Sequence, residues 1–115
     1  MLAGWQRLWV VRSQPYALQR ADGTYRWVQE TCDADVLRAH LAGECTLALA
    51  STDARGWCQW VCLDADSPAP ETLAQLVALA AALGGCDIPA FVEASRRGGH
   101  VWILLDEVMP AGPVR

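Results

Sequence analysis

The sequence predicts an α/β (α+β) domain with a mostly antiparallel sheet, on three observations. From residue 57 onward the chain reads strand, helix, strand, strand, a crossover helix followed by a hairpin. Asp22-Gly23 is a hairpin turn signal between the strand-like halves of "YALQRADGTYRWVQ". "ETLAQLVALAAALGG" is the clearest helix, with no internal breaker.

Each element has its own warrant. Residues 6–12, "QRLWVVR", read as a short strand. Arg7 lies inside the apolar N-terminal stretch and no cleavage-like site follows, so this is not a signal peptide. After the hairpin, Asp33 is a good N-cap for "ADVLRAHLAG", where Val36, Leu37 and Leu41 form a short apolar stripe and Gly43 ends the helix. "CTLALAS" reads as a strand and "TDARG" as a turn. "WCQWVCLD" is apolar on both faces, as a central strand would be. Ser67, Pro68 and Pro70 break it and set up the long helix, which has Glu71 in its first turn and Gly84-Gly85 at its end. Leu73, Leu76, Val77, Ala80 and Leu83 are its expected buried stripe. "AFVEAS" and "HVWILLD" are strands joined by "RRGG", and "EVMPAGPVR" reads as a loop.

With 115 residues the chain is expected to form one domain, an N-terminal element over about 1–56 and a second part over about 57–115. Its 53% hydrophobic and 19% charged residues mark a globular chain. No apolar run reaches the roughly 18 residues of a membrane span, so no membrane association and a cytoplasmic location are expected. All nine basic residues are arginine, which excludes lysine Schiff-base chemistry and the P-loop. A net charge of −4 is unfavourable for binding nucleic acid by charge alone, and less so if divalent cations cover several carboxylates. The five cysteines lack a disulfide-framework spacing and are expected reduced, with Cys58 and Cys62 read as buried thiols rather than zinc ligands. His40 reads as structural, and the six tryptophans as core or interface.

Two stretches carry candidate chemistry. "WVCLDADS" ends a strand with Asp64 and Asp66 one residue apart, side by side on one face. Carboxylates that close raise each other's pKa unless something neutralises them. "SRRGGH", residues 95–100, lies between two strands. If strands 57–64 and 100–105 are neighbours, His100 comes within reach of the acidic pair and Trp102 walls the site. Paired hard oxygen ligands suit Mg²⁺ or Mn²⁺, which complete their shell with water and phosphate. Arg96 and Arg97 offer bidentate phosphate contacts, and Gly98 and Gly99 a close backbone approach. Taken singly, each feature also fits a bland role: a solvated strand end or turn cap, an exposed hairpin turn, a surface histidine.

From Tyr16 to Pro110 the chain resembles the archaeo-eukaryotic primase superfamily, the primase-polymerases. It is most similar to the primase domains of TOTE conflict systems and of CRISPR-associated prim-pols. The stretches that carry the resemblance are "PYALQRADGTYRWV", "LRAHLAGECTLAL", "WVCLDADS" and "FVEASRRGGHVWILLDEVMPA". The last two look like the family's metal-binding D-x-D and its Ser/Gly-rich turn ending in a phosphate-binding His. The resemblance implies an RRM-like catalytic module, visible as β-α-β-β, behind an N-terminal hairpin and helix. It implies Asp64 and Asp66 as metal ligands for Mg²⁺ or Mn²⁺. It further implies Ser95, Arg96, Arg97, Gly98, Gly99 and His100 as nucleotide-binding residues, with Asp64, Asp66 and His100 catalytic.

The expected function is DNA or RNA primer synthesis from nucleoside triphosphates on a template, as in DNA replication. Two features depart from the family pattern. Only four residues separate Ser95 from His100, and the third motif, another strand-borne Asp, is not found. Asp106 and Glu107 follow the His strand too closely to match it. The catalytic part therefore reads as truncated before the third motif, either a piece of a longer polypeptide or a reduced relative with weak or absent polymerase activity. An open sheet edge is expected to favour a homo-oligomer. Two alternatives stand beside this reading: a metal-dependent nuclease using Asp64, Asp66 and His100, and a non-catalytic nucleic-acid-binding or assembly module on a primase scaffold.

Overall fold

The computed structural model describes residues 2–112. It contains α1 (Leu2–Trp9), β1 (Tyr16–Gln19), β2 (Tyr25–Val28), α2 (Ala34–Leu41), β3 (Leu47–Ala48), β4 (Trp57–Asp66), α3 (Pro70–Gly85), β5 (Ala90–Ser95) and β6 (Gly98–Pro110). The α/β class holds, with two three-stranded antiparallel sheets ordered β2-β1-β3 and β4-β6-β5. The chain divides into two compact units, Met1–Cys58 with Met109–Arg115 and Gln59–Val108.

In the first unit, the β1–β2 hairpin pairs Gln19 with Tyr25 around a turn in which Asp22 accepts hydrogen bonds from the Thr24 amide and hydroxyl. Gly23 takes φ +88°, the left-handed conformation that the turn requires. Asp33 caps α2 by accepting from the amides of Asp35 and Val36. Tyr16, Cys32 and Leu37 form the buried core, and Leu2, Trp5, Val36 and Leu47 pack against it. Leu41 stays exposed. Residues 6–12 do not form a strand: the segment is helical from Leu2 to Trp9. Leu2, Trp5 and Trp9 fall at helical spacing, with the Trp5 and Trp9 rings 6.4 Å apart, so the apolar period is that of a helix and not of a strand. "CTLALAS" pairs as a strand only at Leu47–Ala48, which face Leu18 and Ala17 of β1.

The second sheet sets β6 between β4 and β5. The start of β6, at Gly98, lies against the end of β4, at Ala65. Past the other end of β6, the Ala111 amide donates to the Gly56 carbonyl just before β4. β6 is thus antiparallel to β4, as it is to β5. With α3 joining β4 to β5, this is the split β-α-β arrangement with a central antiparallel strand, the order expected of an RRM-like module.

"EVMPAGPVR" is correspondingly not all loop, because β6 runs on to Pro110, while residues 113–115 lie outside the described residues. The segment stays extended because β4 continues alongside it, and Pro110, which lacks an amide donor, ends the strand. "RRGG" is also shorter as a connection than its residues suggest: only Arg96 and Arg97 form the turn, and Gly98 and Gly99 belong to β6.

α3 covers one face of this sheet. A methyl group on Gly99 would meet Leu76 and Leu73, and Val101, next on that face, is fully buried. Of the expected helix stripe, Leu76 is buried and Ala80 and Leu83 are half-buried. Leu73 and Val77 are 41% and 53% exposed. The narrow sheet gives the helix a single strip to cover, and the small Gly99 lets Leu76 settle deeply into it. Among the described residues no helix is long and apolar enough to cross a membrane.

Candidate functional site

The face of β4-β6-β5 opposite α3 collects the chemistry. Alternation in β6 points His100 and Trp102 away from the Gly99–Val101 face that α3 covers. On β4, Asp64 and Asp66 occupy alternate positions at the strand end, with side chains 65% and 60% exposed. His100 Nε2 lies 3.4 Å from Asp64 Oδ1. Arg97, in the turn before β6, donates from Nη2 to Asp66 Oδ2 at 3.2 Å. Each aspartate therefore has a partner from across the sheet. The Arg97–Asp66 pair is solvent-exposed and contributes at most about 1 kcal/mol, leaving that carboxylate available to a stronger ligand.

Gly98 brings the two motifs together. It sits at φ +151°, and a Cβ there would overlap the carbonyl oxygen of Ala65, the residue between the two aspartates. The close backbone approach is thus strand to strand, and His100 follows two residues later beside Asp64. Gly99 is also close-packed: a Cβ would lie 2.8 Å from the Glu93 carbonyl oxygen and 2.9 Å from Leu76 Cδ1. Ser95 pairs with Gly98 at the hairpin end, and Ser95, Arg96 and Arg97 are all exposed there.

One member of this face is not marked by any sequence motif. Glu93 on β5 stands directly opposite His100 in the register. Its Oε1 is 2.7 Å from His100 Nδ1 and accepts from Trp102 Nε1 at 3.4 Å. The row across the sheet is Glu93, His100, Asp64. The Trp102 ring is edge-on to His100 at 5.8 Å and to Trp60 at 5.4 Å, so Trp102 flanks the histidine. Cys62, two residues before Asp64, is half-buried. Burial first, then the charges of Asp64 and Glu93, push its thiol above the usual range, so it remains a neutral side chain.

Asp106 and Glu107 do not join the site. Six residues of strand separate Asp106 from His100, roughly 20 Å at the usual rise, and Glu107 lies one residue further along β6. Among the described residues no group of three or more His, Cys, Asp or Glu side chains is arranged to hold a metal ion. Asp64 and Asp66 nevertheless suit Mg²⁺ or Mn²⁺: they are hard oxygen donors, adjacent and open to solvent, and such ions commonly take one or two carboxylates plus water and substrate phosphate. The His40 ring lies elsewhere, with Nδ1 3.2 Å from the Cys45 carbonyl oxygen and 5.9 Å between ring centres to Trp5.

The family model for the archaeo-eukaryotic primase domain of TOTE conflict systems matches residues 6–115. The chain belongs to this family. A search of curated proteins found no match. The match spans both units of the primase domain and includes the D-x-D strand, the arginine turn and the histidine strand.

Proposed function

We propose that this primase domain binds a nucleoside triphosphate with Mg²⁺ or Mn²⁺ on the open face of β4-β6-β5 and serves primer synthesis on DNA or RNA. One observation supports this above the others: His100 Nε2 stands 3.4 Å from Asp64 beside the exposed Asp64–Asp66 pair, on the face that α3 leaves open. Asp64 and Asp66 would hold the divalent ion, which supplies charge neutralisation for the phosphates and for the attacking 3′-hydroxyl. His100, with Arg96 and Arg97 at the turn, would bind phosphate oxygens. Ser95 offers a further hydroxyl at the same end. The reaction is attack of a 3′-hydroxyl on the α-phosphate with release of pyrophosphate. Trp102 and Trp60 extend the face beyond the phosphate-binding end, where nucleobases commonly stack on aromatic rings.

A second reading has its own support. The acids are partnered within the protein, and Asp106 and Glu107 are too far along β6 to serve as a third carboxylate. A non-catalytic module that binds nucleotide or nucleic acid fits both facts. The two readings separate in one experiment: triphosphate binding by calorimetry with and without Mn²⁺, together with extension of a labelled primer. Binding that requires Mn²⁺ and is lost in Asp64→Asn supports the site. Extension is expected to be weak, and none at all supports the module. Cleavage of the labelled strand without triphosphate would favour a metal-dependent nuclease. Binding unchanged in Asp64→Asn and His100→Ala would overturn the site.

A further inference from the structure

We propose that Glu93 is a positioning residue of this site: its carboxylate holds the His100 ring so that Nε2 faces the acidic pair. This rests on the functional reading above and adds to it a residue to which the resemblance gives no role.

The geometry is specific. Glu93 and His100 are direct cross-strand partners, and only 2.7 Å separates Glu93 Oε1 from His100 Nδ1. The contact that points into the site, Nε2 to Asp64, is longer at 3.4 Å. The short bond therefore sets the ring plane, and the long one follows from it. An ionised carboxylate can only accept a hydrogen bond, so Nδ1 carries a proton and donates. This ties Nδ1 to the protein and leaves Nε2 for the site, where in the doubly protonated ring it donates to phosphate while Glu93 still accepts from Nδ1.

The same Oε1 accepts from Trp102 Nε1 at 3.4 Å, so one oxygen fixes two neighbouring side chains of β6. Trp102 in turn stands edge-on to the imidazole and limits its tilt. Without such a tie, a ring 27% exposed on a sheet face would turn about its side-chain torsions. A surface acid with only a solubility role gains nothing from standing between two ring N–H donors, and placing it one imidazole away from Asp64 adds like charge to the face.

The test reads the ring itself. The chain has two histidines, so the imidazole nitrogen signals of a ¹⁵N-labelled sample are few. At a pH where the nitrogen signals show one proton per ring, His100 is expected to carry it on Nδ1. In Glu93→Ala that preference is expected to be lost, with a large share of Nε2–H tautomer, while His40 keeps its signals as an internal control. Glu93→Gln retains a carbonyl acceptor and is expected to restore the Nδ1–H form. Triphosphate affinity with Mn²⁺ is expected to fall about 10-fold in Glu93→Ala and to recover largely in Glu93→Gln.

Unchanged nitrogen signals in Glu93→Ala would overturn the proposal, as would unchanged affinity. Should the alanine variant not fold, Glu93→Gln decides: loss of the Nδ1–H tautomer despite the retained acceptor contradicts the assigned bond. A wild type that binds no triphosphate, yet shows the tautomer dependence on Glu93, would overturn the functional reading and leave the positioning contact standing.

Discussion

Asp53 and the Asp64–Asp66 pair are both acids beside a strand, and they are held in opposite ways. Asp53 is satisfied by its own turn. Its Oδ1 accepts from the Arg55 and Trp57 amides at 2.8 and 3.0 Å, and its Oδ2 takes two contacts from the Arg55 guanidinium. That guanidinium also lies 4.5 Å from the Trp57 ring centre. The Arg55 side-chain hydrogen bond, then the Trp57 amide, hold the Asp53 carboxyl below its ordinary value. Asp22 and Asp33 are of the same kind, serving the hairpin turn and the α2 cap. The partners of Asp64 and Asp66 come instead from far along the chain, at 3.2 to 3.4 Å and through side chains alone. Acids that build structure are met at short range by backbone amides next to them. Asp64 and Asp66 are arranged by tertiary contact and left exposed.

The largest expected effect breaks the arrangement that sets the pair against His100. Gly98→Ala drives a Cβ into the Ala65 carbonyl at a φ unfavourable to side chains, and should cost about 3 kcal/mol. Urea unfolding measures it. Gly84→Ala, in a helix with open space around it, should instead gain up to about 1 kcal/mol. A neutral Gly98→Ala would mean that the two motifs do not depend on that contact.

Next come the acids that build structure. Asp33→Ala removes the α2 cap and should cost about 1 kcal/mol by the same measurement. Asp53 gives a pH signature. Its folded pKa is lowered from the ordinary 3.8, so its contribution is present above that value and is lost as pH falls through the folded value. Stability should therefore decline below about pH 4, and Asp53→Asn should be less steep in that window. Parallel acid limbs for the two proteins would show that the turn contributes nothing.

Much of this was legible in the sequence because it is local. The Asp22-Gly23 turn, the Asp33 cap, the α3 helix and the D-x-D strand end each depend on residues a few positions apart. Two features were not legible for identifiable reasons. "QRLWVVR" by itself reads as a strand because it is short and rich in β-formers, whereas Leu2, Trp5 and Trp9 set the helical period of α1 across a slightly longer window. Glu93 was hidden by the hairpin register. Treating "RRGG" as the connection pairs Ser95 with His100. The actual two-residue turn at Arg96 and Arg97 pairs Glu93 with His100. Gly98 made the difference, because it joins β6 where any side chain would strike Ala65. The exposed half of the α3 stripe was illegible for another reason: helical spacing shows which residues share a face, not how wide a sheet lies under it.

The smallest expected effect on the fold is at the candidate site, and it is also the most decisive. Asp64→Asn and Asp66→Asn remove exposed, mutually repelling charges, so without metal each should stay within about 0.5 kcal/mol of the wild type. The same variants should lose whatever stabilisation Mn²⁺ confers, since a ligand raises stability only where it binds the folded chain. One measurement combines both: thermal unfolding of the wild type, Asp64→Asn and Asp66→Asn, with and without Mn²⁺. Coincident metal-free melts are expected, with an Mn²⁺-dependent rise in the wild type alone. A lowered metal-free melt in the variants, or an equal Mn²⁺ response in all three proteins, would contradict this and return Asp64 and Asp66 to the class of acids that build the fold.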